Sequence, residues 1–159
     1  SGSGDGSVIR VRENGNFLAM SVYCNPRFCY LSPKDGAKIA VATAGRNCAT
    51  RGAKPLAITD CLNFGSPENP SVMWQFGEVC EGIKEACEVL KTPVVSGNVS
   101  LYNQTNGIDI YPTPSIGMVG LIRGDLLRHC ETCECKSWQS QIFAIRINVT
   151  IIQKSDKIY

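Results

Sequence analysis

Apolar residues recur along the chain with two different spacings, and these predict its elements. Runs that alternate or are continuously apolar predict strands at 8–11, 17–24, 54–59, 93–96 and 115–123. An alanine-rich stretch predicts a helix at 34–51, and apolar residues at steps of three and four predict a second helix at 71–91. The predicted order is strand, strand, helix, strand, helix, strand, strand.

Capping signals support the second helix. Asn69 suits the N-cap position, Pro70 suits the first helical position, and Thr92 followed by Pro93 ends the helix. Two prolines and several polar residues interrupt any period at 25–33, so this stretch is predicted to be a loop.

The order of elements predicts an α+β fold. Both helices need to bury an apolar stripe, which is possible if they lie together on one face of a mixed, mostly four-stranded sheet. The other face of that sheet would then be bare. We expect it to pair with a second copy of the chain or with a second domain.

Composition narrows the class of protein. The chain has 159 residues and a net charge of +2, which gives no electrostatic argument for binding nucleic acid. No apolar run approaches the roughly 20 residues that a membrane span needs. Nine cysteines lie mostly within apolar helix or strand patterns, which favours free thiols in a reducing, cytoplasmic setting.

The two ends of the chain differ from its middle. Residues 1–7 are predicted to be a flexible tail, 8–123 the α+β domain, and 124–159 an irregular, cysteine-rich connection that begins a further domain. His129, Cys130, Cys133 and Cys135 are spaced closely enough to suggest a zinc site. Tight Cys-x-Cys spacing and the lack of a second pair nearby argue against that site.

Two polar segments follow short apolar runs and carry the functional prediction. The first is Pro55-Leu-Ala-Ile-Thr-Asp-Cys-Leu-Asn-Phe-Gly65, and the second is Pro93-Val-Val-Ser-Gly-Asn-Val-Ser-Leu-Tyr-Asn103. Because a single helix separates them, both are expected to be loops at the same end of one sheet. Small and oxygen-bearing side chains there suggest a ligand site.

Four motifs in this order resemble the synthetase subunit of phosphoribosylformylglycinamidine synthase, in the superfamily of aminoimidazole ribonucleotide synthetase. They are the segments 24–31, 52–65, 96–103 and 111–121, which read CNPRFCYL, GAKPLAITDCLNFG, SGNVSLYN and YPTPSIGMVGL. The likeness covers roughly residues 8–122. Long motifs in a fixed order are far more specific than a single glycine-rich match.

The resemblance implies an ATP-dependent carbon–nitrogen ligase of purine biosynthesis. Such an enzyme converts formylglycinamide ribonucleotide into its amidine with glutamine-derived ammonia, so a glutamine amidotransferase subunit is an expected partner. The family enzyme contains two tandem units, and this chain is similar to the amino-terminal domain of the second. The first unit is therefore an expected partner for the bare sheet face, and a homodimer of the fragment is another.

The resemblance also implies roles for four residues. It places Asp60 and Gly97 at ATP, Asn98 on Mg²⁺, and Ser100 at the ribonucleotide substrate. These residue types suit those roles, because glycine lets backbone approach a phosphate and an amide oxygen is a hard metal ligand. Taken singly, Asp60 could instead cap a turn, Gly97 could mark a bulge, and Asn98 and Ser100 could bond to local backbone.

The family's catalytic histidine and ATP-contacting lysine belong to the first unit, so no catalytic residue is assigned here. We therefore expect the isolated chain to be inactive. Two alternatives remain: a structural, dimerisation module without a ligand, and a related kinase of the superfamily, such as a thiamine monophosphate or selenophosphate kinase. The residues of segments 62–65 (LNFG) and 99–103 (VSLYN) argue against the kinase.

Overall fold

A computed structural model describes residues 5–123 of the chain. Its elements, in chain order, are β1 (Ser7–Arg10), β2 (Phe17–Tyr23), α1 (Pro26–Leu31), α2 (Pro33–Thr50), β3 (Lys54–Asn63), α3 (Pro70–Leu90), β4 (Val94–Ser100), β5 (Gln104–Thr105), β6 (Ile108–Asp109) and β7 (Thr113–Ile122). None of the helices within these residues is long and apolar enough to cross a membrane.

Five strands form one mixed sheet in the order β1-β2-β7-β3-β4, and β5 pairs with β6 in a separate two-stranded hairpin. β7 runs antiparallel to both β2 and β3, whereas β4 runs parallel to β3 at the edge of the sheet. The β3–α3–β4 crossover supplies the parallel pair.

Helices α2 and α3 pack together over one face of the sheet and form the core with it. Alternate residues of β7 are buried in this core, as the period of a strand requires: Pro114, Ile116, Met118, Gly120 and Ile122. The alanine-rich face of α2 is almost wholly buried, because small side chains let the helix lie close to the sheet. Met20 and Val22 point to the opposite face, which no element within residues 5–123 covers and which we call the open face.

Polar contacts fix the two helices relative to each other and to the loops. Asn69 caps α3, its Oδ1 accepting from the Ser71 amide at 3.0 Å. Lys38 on α2 is 3% exposed, and its Nζ lies 2.7 Å from the Glu85 carboxylate on α3. Lys34, whose Nζ lies 2.6 Å from the same carboxylate, and then Lys38 hold the pKa of Glu85 below its usual range.

The α+β fold class and the two helices on one face are confirmed, with five strands in the sheet instead of four. The prediction of a loop at 25–33 is wrong, because Asn25 caps the short helix α1 and Pro26 is its first residue. Neither proline interrupts a helix, since Pro33 is the first residue of α2. The β5–β6 hairpin was not predicted. The zinc prediction falls on residues that lie outside the described part of the chain.

Candidate functional site

Asp60 and Gly97 face each other across the parallel pair β3–β4. They are register partners, and a Cβ on residue 97 would collide with the Asp60 carboxylate. Glycine at this position therefore makes room for the carboxylate. The alternative that Gly97 marks a bulge does not hold, because the register shift in β4 falls earlier, between the partners of Ile58 and Thr59.

The Asp60 side chain points to the helix-covered face, between the buried Ile58 and Leu62 of the same strand. Partial burial raises the pKa of its carboxyl group above the ordinary value of 3.8. Its negative charge also adds to the burial that raises the pKa of the Cys80 and Cys87 thiols on α3. Within residues 5–123 the carboxylate accepts no hydrogen bond and Asp60 lies inside β3, so the alternative that it caps a turn does not hold.

Asn98 and Ser100 lie on the open face, because strand residues alternate and Gly97 and Val99 take the other side. Their neighbours there are also polar, and we call this group the polar strip: Thr59, Asn63, Ser96, Asn98, Ser100 and Ser115. The Thr59 and Ser96 hydroxyls are 2.7 Å apart. The Asn98 side chain is exposed and makes no hydrogen bond within the described residues.

Ser100 is held by its own loop. The Asn103 amide donates to the Ser100 hydroxyl at 3.1 Å, to its carbonyl at 3.0 Å and to the Phe64 carbonyl at 2.9 Å. The local-bond alternative thus holds for Ser100, whose hydroxyl still has capacity for a further partner.

The four predicted residues are therefore adjacent but not convergent on one face. Asp60 and Gly97 are partners on the helix side of two neighbouring strands, while Asn98 and Ser100 lie on the open side. The expectation that they occupy loops after the strands is wrong. β3 continues to Asn63 and β4 to Ser100, since the backbone pairing extends through the polar residues.

Residues 3–122 match the family model of AIR synthase related protein, N-terminal domain. The chain belongs to this family.

This AIR synthase related domain has close curated relatives. The phosphoribosylformylglycinamidine synthase subunit PurL of Wolinella succinogenes is 77% identical over 121 residues, which are 76% of this chain and 16% of that protein. The chain thus spans about a sixth of the length of the curated relatives that it matches.

Solved structures of the same enzyme class as these curated relatives are also similar to this chain. Phosphoribosylformylglycinamidine synthase II from Thermotoga maritima superposes with a TM-score of 0.70 at 31% identity, over 76% of this chain and 20% of that one. The same protein has been solved in complexes with ATP and with FGAR. Thiamine monophosphate kinase from Aquifex aeolicus shares the fold, with a TM-score of 0.50 at 19% identity over 74% of this chain and 37% of that one.

Metal binding by this AIR synthase related domain would depend on few protein ligands. No group of three or more His, Cys, Asp or Glu side chains within residues 5–123 could hold a metal ion. Mg²⁺ commonly takes one or two protein oxygens and fills its shell with phosphates and water, so the unpaired Asn98 amide oxygen fits such an ion.

Sequence reasoning missed most of the polar strip. Thr59, Asn63, Ser96 and Ser115 share the open face with Asn98 and Ser100. The signal that could have found them is the period of two within β3, which separates Thr59 and Asn63 from Asp60.

Proposed function

We propose that the chain is a domain of an ATP-dependent ligase that converts formylglycinamide ribonucleotide into its amidine with glutamine-derived ammonia. The observation that carries this proposal is the 77% identity to a phosphoribosylformylglycinamidine synthase subunit over 121 residues that include the β3–β4 pair. The Thermotoga maritima structures with ATP and with FGAR support the ligand classes.

In this proposal Asp60 and Gly97 contact ATP. A glycine backbone lets a phosphate approach closely, and the carboxylate beside it can accept hydrogen bonds from the nucleotide. Ser100 contacts the ribonucleotide, and Asn98 supplies an oxygen to Mg²⁺. Bound Mg²⁺ would neutralise charge on the phosphates, whereas the residues of the domain bind and orient, which is most of what phosphoryl transfer requires.

The proposal includes partners and a compartment. The open face, with Met20 and Val22 exposed beside the polar strip, suits a cover by a first synthetase unit. A second copy of this chain would serve the same purpose in the isolated fragment. A glutamine amidotransferase subunit would deliver ammonia, and the Thermotoga maritima relative is also solved as PurLQS. The six described cysteines are free thiols, three of them buried, which suits the reducing cytoplasm.

Because the domain holds no assigned catalytic residue, we expect the isolated chain to form no amidine. The test uses a chimera in which residues 3–122 replace the matching segment of the Wolinella succinogenes relative. The chimera should be active, and Asp60→Ala and Asn98→Ala should each lower Mg·ATP-dependent amidine formation about 10-fold to 100-fold.

Glu81→Gln is the matched control, because Glu81 lies on the outer surface of α3 and its one ion pair within residues 5–123 is with Lys84 at 3.0 Å. It should leave turnover unchanged. Wild-type kinetics for both Asp60→Ala and Asn98→Ala would reject the ligand contacts and favour a purely structural module. Amidine formation by the 159-residue chain alone would reject the expectation that the catalytic residues lie in the first synthetase unit.

A further inference from the structure

The Asp109 carboxylate joins the β5–β6 hairpin to the loop between β3 and α3. It accepts hydrogen bonds from the Ser66 backbone amide at 2.7 Å, the Gln104 side chain at 2.7 Å and the Asn69 side chain at 3.0 Å. These bonds hold the pKa of Asp109 below its usual range, the Ser66 amide contributing most. The carboxylate packs directly against Gly65, where a Cβ would overlap it.

Asp109 also sets the orientation of the Asn69 amide. Since the Asn69 NH₂ group donates to Asp109, its oxygen is directed to the Ser71 amide, where it caps α3. A carboxylate is needed for this arrangement because all three groups that face it are donors.

The same loop is bonded to the carboxyl end of β4. The Tyr102 amide donates to the Gly65 carbonyl at 2.8 Å, and the Asn103 side chain bridges the Phe64 carbonyl and Ser100. The backbone of residues 64–66 thus connects Asp109 to Ser100: Ser66 donates to Asp109, and the Phe64 amide donates to the Ser100 carbonyl at 3.0 Å.

We propose that Asp109 is a positioning residue that holds the 64–66 segment, and through it Ser100, in place for the ribonucleotide substrate. This inference rests on the proposed function, because it assumes that Ser100 meets the substrate. Asp60 and Gly97 lie on the other face of the sheet, and neither they nor the Asn98 side chain takes part in the hydrogen bonds between Asp109 and Ser100 within residues 5–123, so ATP binding should not depend on Asp109.

The test compares Asp109→Asn and Asp109→Ala with the matched control Glu81→Gln in the chimera described above. Asparagine keeps the shape of the side chain but presents a donor to one of three donors. We expect the KM for formylglycinamide ribonucleotide to rise about 10-fold or more, because small displacements of a binding group have large effects. The KM for ATP should stay within about twofold of its value in the unsubstituted chimera. General destabilisation of the domain would not raise one KM and leave the other unchanged.

Amide hydrogen exchange in the 159-residue chain supplies a second measurement. The Ser66 and Ser71 amides should exchange faster in both Asp109 variants, with the far-UV circular dichroism spectrum retained. Faster exchange with an unchanged KM for the ribonucleotide would overturn the inference. An inactive unsubstituted chimera would overturn the proposed function and this inference together. Failure of the inference alone is recognised by an active chimera whose KM for the ribonucleotide does not change in the Asp109 variants.

Discussion

At the scale of single residues, Asp60 carries a free-energy cost that points to a role other than stability. Its pKa is raised by burial, so the folded state binds a proton more readily than the unfolded state does. Its contribution to stability is therefore greatest below pH 3.8 and falls as pH rises through the raised pKa of the folded state. A carboxylate kept at such a cost is typical of a binding site.

Asp60→Asn should consequently stabilise the chain at pH 7, by at most about 1 kcal/mol because the group is partly solvated. Urea unfolding at several pH values between about 3 and 7 measures this difference. The gain should grow with pH, then level off above the raised pKa. A variant that is less stable than the wild type at pH 7 would contradict the assignment of burial as the dominant effect.

Gly97 is a second residue whose identity follows from its surroundings. Gly97→Ala places a methyl group against the Asp60 carboxylate and should destabilise the chain by about 1–3 kcal/mol. Gly77→Ala is the matched control: nothing lies near a Cβ on this exposed position of α3, so alanine should stabilise by about 0.5–1 kcal/mol. Equal unfolding midpoints for both variants would contradict the close contact between Gly97 and the Asp60 carboxylate.

At the scale of elements, much of the architecture is predictable because local signals agree with tertiary packing. Asn69, Pro70 and the apolar stripe define α3 without reference to the rest of the chain. The ends of β3 and β4 are not predictable in this way. Polar residues such as Asn63 and Ser100 remain in strands because neighbouring strands pair with them, an effect of long-range contacts that composition does not reveal.

The cap of α3 gives a prediction at this scale. Asn69→Ala removes the acceptor for the Ser71 amide and a donor to Asp109, so it should cost about 1–2 kcal/mol in the free energy of unfolding. Asn25→Ala, at the start of the six-residue α1, is the comparison and should cost less, because its bond to the Phe28 amide is 3.3 Å long. Urea denaturation measures both, and a larger loss for Asn25→Ala would contradict the ranking.

At the scale of the whole molecule, the elements within residues 5–123 cover the sheet on one face only. The prediction that the two helices share one face is confirmed, because two helices suffice for one layer. That the other face stays bare is still a prediction. The strand period of two separates Gly97 from Asn98, but it does not say which face of β4 lies beside Asp60. That depends on which residues of β4 align with Asp60, and the register shift between the partners of Ile58 and Thr59 sets that alignment.

The open face should make the isolated chain self-associate at high concentration. Val22, 73% exposed in β2, lies on this face, and Val22→Lys should shift sedimentation equilibrium towards the monomer while changing stability by less than about 0.5 kcal/mol. Val89→Lys is the matched control on the outer surface of α3, where valine is 43% exposed. Equal self-association of both variants would show that the open face is not the contact.

The buried thiols have a practical consequence. Burial raises the pKa of Cys29 to about 12, and it raises the pKa of the enclosed Cys48 and Cys87 as well. Thiolate is the species that an alkylating reagent attacks, so these cysteines are protected twice, by enclosure and by protonation. Their alkylation requires the core to open. The alkylation rate of each cysteine, followed by mass spectrometry, therefore reports how often its part of the domain opens.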